Sequence, residues 1–579
     1  MQQFKVTFLK ENRSVQVPAD TTVLEAQRMA GLQPDAPCGG QGACGKCRVI
    51  LETDRGREEV LACQTRVRSD LRVDTGNQPH AHAILSRGIQ RDIPLDPVVR
   101  RGKLTFRKLK IGDPDSQWQR ITQALEETFG EPMDFLSPDL ELSSNLYSML
   151  RSSDTWYAVL GLQGILSMTL TPPAVYAAAV DIGTTSLVGY LLDPFTGKTL
   201  ATASRLNPQA QYGADVILRA NYASEQGCQV LSTCIRACIS EMLEELAQKA
   251  GITPADIYSI CCVGNTCMHH LLLGLSPDSL SHAPYNPVIR SQLTMKAADC
   301  GLTAAEKAEL ILLPNIAGFV GGDTMGCLLC TRPDLQREVS LMIDIGTNGE
   351  MVLGSEKGLV TCSTAAGPAF EGAKIECGMR GSAGAVDHVF YENGAFRYTT
   401  VGGEKPVGIC GSGLIDLTAC LRKAGLIDES GYLDLEDGSS RFILVPEEKS
   451  GSGKPIYLSQ KDIREVQLAK AAIAAGVMLL MQQLKLQEKD IGKVCIAGAF
   501  GNYMDAASAC AIGLIPGALA GKIQPIGNAA GEGAKIALLS RRELSASRSL
   551  SRSISFVELA SSPEFQDCFV DQLEFPELD

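Results

Sequence analysis

The chain has 579 residues, 45% of them hydrophobic, with 53 basic and 66 acidic side chains and a net charge of −13 at pH 7. This length predicts about three or four domains, and the hydrophobic content excludes a chain that is disordered throughout. The acidic balance and the shortness of the basic run over residues 100–110 exclude an extended nucleic-acid interface, so no nucleic-acid partner is expected. The first residues lack the basic head and apolar stretch of a secretory signal, and no long apolar span is uninterrupted, which predicts a cytoplasmic protein without a membrane partner.

The first 78 residues begin with a predicted β-hairpin followed by a short helix. Residues 4–9 and 14–17 are two runs with apolar residues on either side of a polar turn, as expected for two paired strands. The run Asp20-Thr21-Thr22 can cap a helix over residues 23–30, which Gly31 ends.

Four cysteines in this first segment have the spacing of metal ligands. Twenty cysteines in a chain without an export signal argue against a disulfide framework. The spacing C-x5-C-x2-C-x15-C, with three cysteines in one glycine-rich loop, satisfies a [2Fe–2S] cluster. Tetrahedral zinc is the alternative, but zinc sites usually pair two Cys-x-x-Cys units. Residues 1–78 are therefore interpreted as an electron-transfer module with the ligands Cys38, Cys44, Cys47 and Cys63.

Two segments without evident chemistry follow. Residues 79–112 hold eight basic and two acidic side chains and show little periodicity, which predicts a flexible linker; docking to an acidic redox partner is the alternative. Residues 113–174 are predicted to form a small middle domain. Within it Trp118, Ile121, Leu125 and Phe129 share one helical face and Gly130 ends the helix.

A strand-and-turn motif then occurs twice, 163 residues apart. Each copy has an apolar run, an aspartate, a glycine that lets backbone approach a phosphate, and a hydroxyl-bearing turn. The aspartates suit Mg²⁺, directly or through water. Residues 175–579 are therefore interpreted as a duplicated nucleotide-binding ATPase, with phosphate and Mg²⁺ contacts from Asp181, Gly183, Thr184, Thr185, Asp344, Gly346, Thr347 and Asn348.

Further glycine turns alternate with strands and helices in the order that an adenosine pocket between two half-domains needs. Four of these glycines are expected to border the adenosine: Gly411, Gly413, Gly498 and Gly501. Asp323 begins a glycine-rich helix, and two roles stay open for it. It either positions the attacking water or contacts Mg²⁺, or it serves only as the cap of the helix. The adjacent His269 and His270 face different sides of a helix, which favours a structural pair over a metal site.

Taken together, these motifs resemble the reductive activators of corrinoid proteins over nearly the whole chain. The resemblance lies in residues 38–47, 61–64, 181–185, 264–266, 363–373 and 497–501. It implies an α/β multidomain fold: a β-grasp [2Fe–2S] ferredoxin domain (1–78), a linker (79–112), a small α+β middle domain (113–174) and a duplicated RNase H-like, actin-like ATPase domain of the ASKHA class (175–579).

The resemblance also implies an activity. Such an activator uses ATP, Mg²⁺ and the cluster to reduce Co(II) to Co(I) in a corrinoid protein of a methyltransferase system, with electrons from a low-potential donor. It implies that residues 363–371 face the corrinoid and that Ser363 reaches the cobalt. A homodimer is possible, because actin-like folds often pair.

Three other functions stay open from the sequence. A small-molecule kinase fused to a ferredoxin would transfer phosphate to a sugar or acid. An Hsp70-like module would use ATP only to gate partner binding. An activator of a radical dehydratase normally holds one cluster between subunits, rather than in a separate ferredoxin domain.

Overall fold

The computed structural model describes residues 2–577, except for residues 33, 35, 37–39, 41, 43–46, 54–55, 76–84, 108–110 and 560. Among the described residues, none of the helices has the length and apolarity needed to cross a bilayer.

A five-stranded sheet with one packed helix forms the amino-terminal unit. The strand order is β2-β1-β5-β3-β4, and the central pair β1 and β5 is parallel. Thr22 and Glu25 form a reciprocal capping box at the start of α1, which confirms the predicted helix start. The elements are β1 (Gln3–Phe8), β2 (Arg13–Pro18), α1 (Val23–Met29), β3 (Arg48–Thr53), β4 (Gly56–Leu61) and β5 (Leu71–Asp74).

A small three-stranded sheet covered by two helices comes next. Ile121 and Leu125 of α2 pack with Trp156 in the core of this small unit. Gly130 ends α2 in the left-handed conformation, as the sequence predicts. The elements are β6 (Arg100–Thr105), α2 (Gln117–Phe129), α3 (Leu140–Ser152), β7 (Thr155–Leu160) and β8 (Ile165–Thr169), in the order β6-β7-β8.

Much of the segment predicted as a flexible linker is ordered in the structure. Residues 100–105 form β6, which pairs with β7. Before it, the Ile89 N–H donates to the Ile526 carbonyl at 2.9 Å and the Val98 N–H donates to Leu538 at 3.0 Å. Backbone hydrogen bonds to partners far away in the chain leave no periodic pattern in the sequence. The prediction of a flexible linker is therefore wrong for residues 89–105.

The first half of the carboxy-terminal unit is a six-stranded sheet in the order β11-β10-β9-β12-β14-β13. Its central strand β9 is antiparallel to β10 and parallel to β12. The elements are β9 (Tyr176–Ile182), β10 (Ser186–Leu192), β11 (Thr199–Leu206), α4 (Val216–Gln226), α5 (Gln229–Ala250), β12 (Ile257–Gly264), α6 (Thr266–Leu273), α7 (Asp278–Ser281), β13 (Leu293–Lys296), β14 (Glu309–Leu312) and α8 (Gly322–Thr331).

The second half repeats the pairing of five of these strands, with the order β24-β23-β15-β16-β17-β25, and its sixth strand lies at the opposite edge, beside β17. Here β15 is antiparallel to β16 and parallel to β23. The elements are β15 (Val339–Ile345), β16 (Gly349–Ser355), β17 (Gly358–Thr364), β18 (Ala385–Glu392), β19 (Ala395–Thr400), β20 (Gly408–Ile409), α9 (Gly411–Lys423), β21 (Arg441–Val445), β22 (Ile456–Ser459), α10 (Gln460–Leu484), β23 (Ile491–Ala497), α11 (Gly498–Tyr503), α12 (Ala506–Ala511), β24 (Ile523–Gly527), α13 (Ala529–Leu539), α14 (Arg541–Ser553), β25 (Ser555–Phe556) and α15 (Pro563–Asp571).

The two repeats meet where α8 packs against α13. A Cβ on Gly533 would lie 2.0 Å from the Gly326 carbonyl oxygen, so only glycine permits this close approach of the two helices. Because each repeat carries its Asp-x-Gly turn between its first two strands, the shared topology places the two turns on opposite sides of one cleft. The predicted duplicated fold is confirmed.

Candidate functional site

A cleft of about 350 Å³ separates the two repeats and contains most of the residues predicted to bind nucleotide. We call residues 183–185 the first turn and residues 346–348 the second turn. The predicted residues that line the cleft are Asp181, Gly183, Thr184, Thr185, Asp323, Asp344, Gly346, Thr347, Asn348, Gly411 and Gly498.

Five carboxyl groups line this cleft, those of Asp181, Asp323, Asp344, Glu350 and Glu371. Burial is the main cause that raises the pKa of Asp181 and of Asp344 to about 7, and the negative charge of Asp323 adds to it. Burial raises the pKa of Asp323 to about 6, and burial together with Asp323 and Asp344 raises that of Glu350 well above its usual range. Such a cluster favours a bound proton or cation, because either reduces the repulsion between the carboxylates.

Polar side chains from distant elements hold the first turn in place. Asn265 Nδ2 donates to Thr184 Oγ1 at 3.0 Å, and Asn207 Nδ2 donates to the Gly183 carbonyl at 2.8 Å. The fully buried guanidinium of Arg219 donates to the Thr184 carbonyl at 2.5 Å. Burial lowers the pKa of Arg219 to about 10, which still leaves it cationic behind the turn at neutral pH.

Glu371 connects the two turns directly. Thr185 Oγ1 donates to Glu371 Oε2 at 2.8 Å, and Thr347 Oγ1 donates to Glu371 Oε1 at 2.6 Å. No sequence motif assigns a role to this particular side chain, although it ends the segment 363–371 expected to face the corrinoid. A contact between residues 186 positions apart leaves no local pattern to read.

Asp323 is not the N-cap residue of its helix. The residue that precedes α8 is Gly321, and Asp323 lies inside the first turn of the helix. Its Oδ1 accepts a hydrogen bond from the Thr324 N–H at 2.7 Å while the side chain lines the cleft. This position is compatible with contact to a cation or a water molecule in the cleft.

Three predicted site residues lie behind the cleft wall. Ser363 Oγ donates to Glu350 Oε1 at 3.4 Å, so it supports a cleft carboxyl from the neighbouring strand. A Cβ on Gly413 would lie 2.3 Å from the Val386 carbonyl oxygen, and one on Gly501 would lie 2.2 Å from Ile496. Both glycines therefore serve close packing, and neither lines the cleft.

The adjacent histidines are buried in the first repeat. His269 Nδ1 bonds to the Asn315 side chain at 2.5 Å, and His270 accepts a hydrogen bond from the Val288 N–H at 3.0 Å. Burial lowers the pKa of both, that of His269 to about 4. In the part of the chain that the structure describes, no three His, Cys, Asp or Glu side chains form a metal-binding group.

Two of the four predicted cluster ligands lie among the described residues. Cys47 is 5% exposed, Cys63 is partly exposed, and Cys38 and Cys44 lie outside the described residues. The hairpin of β3 and β4 pairs Arg48 with Leu61, which places Cys47 and Cys63 at the same end of that hairpin. Gly40 has φ +99°, and a Cβ added at this position would lie 3.9 Å from the Cys63 Cβ. This arrangement fits a cluster held between the loop and the hairpin base.

Comparisons with known proteins match three regions of the chain to family models. Residues 6–68 match the 2Fe-2S iron-sulfur cluster binding domain. Residues 176–336 match the RACo middle region, and residues 338–579 match the C-terminal domain of RACo, the ASKHA domain. The region called middle in those models thus corresponds to the first ATPase repeat, and residues 113–174 precede it.

Two curated relatives and one solved structure are similar to most of the chain. Corrinoid activation enzyme RamQ of Eubacterium limosum is 34% identical over 587 residues, covering 98% of each chain. The Co(II) methylated amine-specific corrinoid protein reductase of Methanosarcina barkeri is 27% identical over 69% of this chain and 77% of its own. A solved reductive activator for corrinoid, iron-sulfur protein superposes with a TM-score of 0.75 at 33% identity, covering 100% of this chain and 99% of that one. The chain therefore belongs to the RACo family of reductive activators of corrinoid proteins.

Proposed function

We propose that this protein is an ATP-dependent reductive activator that reduces Co(II) to Co(I) in a corrinoid protein of a methyltransferase system. The observation that carries this proposal is the union, in one chain, of a ferredoxin unit with a duplicated ATPase cleft lined by five carboxyl groups. The names of the full-length relatives, a corrinoid activation enzyme and a reductive activator, support the same reaction.

In this proposal the cleft binds Mg²⁺ and ATP. The glycine turns approach the phosphates, and the Thr184, Thr185 and Thr347 hydroxyls donate to them. Asp181 and Asp344, near the ends of β9 and β15, hold Mg²⁺ directly or through water. Asp323 orients the attacking water. Since Mg²⁺ usually keeps several waters and takes one or two carboxylates plus substrate phosphates, the absence of a three-ligand group among the described side chains is compatible with this role.

The adenosine would lie against the second repeat. Gly411 and Gly498 line the cleft there, and Phe370 stacks on Phe500 at 5.3 Å between ring centroids. Gly498 has φ +83°, and a Cβ at this position would lie 3.0 Å from Asp344 Oδ1. The backbone therefore passes close to a proposed Mg²⁺ ligand at a point where a side chain would intrude.

The amino-terminal unit would supply the electron. A [2Fe–2S] cluster held by Cys38, Cys44, Cys47 and Cys63 supplies one-electron transfer when bound. The unit would thus accept one electron from a low-potential donor and pass it to the Co(II) of the bound corrinoid protein. Because Co(II) is hard to reduce, ATP turnover is proposed to drive the binding or release step that makes Co(I) accessible, with residues 363–371, including Ser363, facing the corrinoid.

The organisation that accompanies this proposal has a ferredoxin domain (1–78), a connecting segment (79–112) whose β6 adds a strand to the small domain that follows (113–174), and an ATPase domain (175–579). The protein would work in the cytoplasm, as a monomer or a homodimer, without a nucleic-acid or membrane partner.

Anaerobic visible spectroscopy tests this function. The protein is mixed with a Co(II) corrinoid protein and a low-potential reductant, with and without ATP. The proposal expects the Co(I) band to appear only with ATP. If the iron–sulfur absorption is present but cobalt never changes, and ATP instead phosphorylates an added sugar or acid, the small-molecule kinase alternative replaces it.

A further inference from the structure

Glu371 occupies the position between the two turns where both threonine hydroxyls point. Its two carboxylate oxygens each accept one hydrogen bond, from Thr185 at 2.8 Å and from Thr347 at 2.6 Å. One side chain therefore joins a turn of the first repeat to the matching turn of the second. Such charge-assisted hydrogen bonds are stronger than those between neutral groups.

A hydroxyl group has only one proton to donate. While Thr185 and Thr347 donate to Glu371, neither can donate to a phosphate oxygen at the same time. A phosphate brought between the turns would also meet the negative charge of Glu371 directly. The carboxylate and a phosphate group are therefore mutually exclusive partners of these two hydroxyls.

Glu371 lies in a short segment that is anchored at its far end. The Glu376 N–H donates to Asp462 Oδ1 at 2.8 Å. The Glu376 carboxylate accepts a hydrogen bond from the Tyr457 hydroxyl at 2.7 Å. Between these anchors and Glu371 lies Gly372, whose φ is +75°. Glu376 is thus held by contacts of its own, which do not involve Glu371.

We propose that the Glu371 carboxylate competes with the terminal phosphate of the nucleotide for the Thr185 and Thr347 hydroxyls, and that nucleotide binding expels it from between the turns. Glu371 is then a positioning residue that closes the cleft without nucleotide and transmits phosphate binding to residues 366–374. This inference rests on the proposed function, because it requires a nucleotide in this cleft.

Binding constants for nucleotides of different length test the competition. Calorimetry would compare adenosine, ADP and a non-hydrolysable ATP analogue, each with Mg²⁺, on the full-length protein and on Glu371→Gln. Loss of the charge and of one acceptor is expected to tighten analogue binding on the order of tenfold and to leave adenosine binding unchanged. Glu371→Asp keeps the charge but is too short to reach both hydroxyls, and should give a smaller gain.

A matched control is Glu392→Gln, the same change at an exposed position at the end of β18, which should alter none of these constants. Hydrogen exchange supplies a second readout. Amides of residues 366–374 should exchange faster when the analogue binds to the unchanged protein, and should already exchange fast in Glu371→Gln without it.

The opposite results would overturn the inference. Weaker analogue binding in Glu371→Gln would make Glu371 a part of the Mg²⁺–phosphate site. If the unchanged protein binds no adenine nucleotide at all, the proposed function fails and this inference fails with it. If it binds nucleotide but Glu371→Gln has no effect, only this inference fails.

Discussion

The side-chain amide of Asn528 donates a 2.9 Å hydrogen bond to Asp181 Oδ2 and thereby joins the start of α13 to the end of β9. The carbonyl oxygen of the same side chain accepts from the Gly531 N–H at 2.7 Å and caps α13. One residue of the second repeat thus fixes both a helix start and a cleft carboxylate of the first repeat.

Replacing Asn528 with aspartate separates these two functions. Asn528→Asp keeps the helix cap but places a second carboxylate against Asp181, so the free energy of unfolding should fall by about 1–3 kcal/mol at pH 8. The loss should be smaller at pH 5, where a shared proton can restore the hydrogen bond. Urea unfolding at both pH values measures this, with the exposed Asn145→Asp as control. A variant as stable as the unchanged protein at pH 8 would show that the contact is unimportant.

The raised carboxyl pKa values predict how stability depends on pH. Because Asp181 has a pKa of about 7 in the fold, against an ordinary value of 3.8, the folded state holds a proton that the unfolded state releases. This carboxyl therefore makes stability fall as pH rises from about 4 to about 7. Asp181→Asn removes the effect, so its stability relative to the unchanged protein should grow across that range and then level off.

Unfolding free energies without nucleotide, taken at several pH values, measure this difference. Because Asp181 is partly open to the cleft, the gain should be about 1–3 kcal/mol. The exposed Asp434→Asn should show no such trend. A gain from Asp181→Asn that stays constant between pH 4 and pH 7 would contradict the raised pKa.

The glycines should divide into two classes on replacement by alanine. Gly498→Ala puts a Cβ 3.0 Å from Asp344 Oδ1 in a left-handed backbone, so nucleotide affinity should fall several-fold. Gly413→Ala puts a Cβ 2.3 Å from the Val386 carbonyl away from the cleft, so stability should fall while the folded fraction keeps its affinity. Thermal unfolding and nucleotide titration of both variants distinguish these outcomes. The reverse pattern would return Gly413 to the adenosine contacts.

The ferredoxin unit contacts the ATPase unit through Arg28. Its guanidinium donates to the Gln211 carbonyl and lies over the Tyr212 ring, 5.2 Å from the centroid. Arg28→Ala should remove about 0.5–1 kcal/mol of cation–π stabilisation and raise hydrogen exchange in residues 208–212 several-fold. The control is Arg68→Ala, which removes an exposed ion pair inside the ferredoxin unit. Unchanged exchange would mean that the two units are held together by other contacts.

The sequence predicts those parts of the site that carry local motifs. The two Asp-x-Gly turns share one spacing and one flanking strand pattern, and the structure brings them together across the cleft. The cap at the start of α1 and the helix that Gly130 ends depend on neighbours within a turn or two, and both are confirmed.

The residues that the sequence misses act across the repeats. Asn528 meets Asp181 from 347 positions away, and Glu371 meets Thr185 from 186 positions away. A glycine turn such as 411–413 also does not reveal which glycine faces the cleft, since that depends on where Val386 passes behind it. The roles of individual site residues therefore remain predictions until they are measured.

The central claim is that ATP turnover in the cleft and electron transfer through the ferredoxin unit are separate parts of one activation. The most direct test measures ATP hydrolysis and Co(I) formation together, in Cys63→Ser and in Asp181→Ala, with a Co(II) corrinoid protein and reductant present. Cys63→Ser is expected to lose Co(I) formation and keep ATP hydrolysis, while Asp181→Ala keeps the cluster spectrum and loses both activities. Undiminished Co(I) formation in Cys63→Ser would contradict the account and favour a protein in which ATP only gates partner binding.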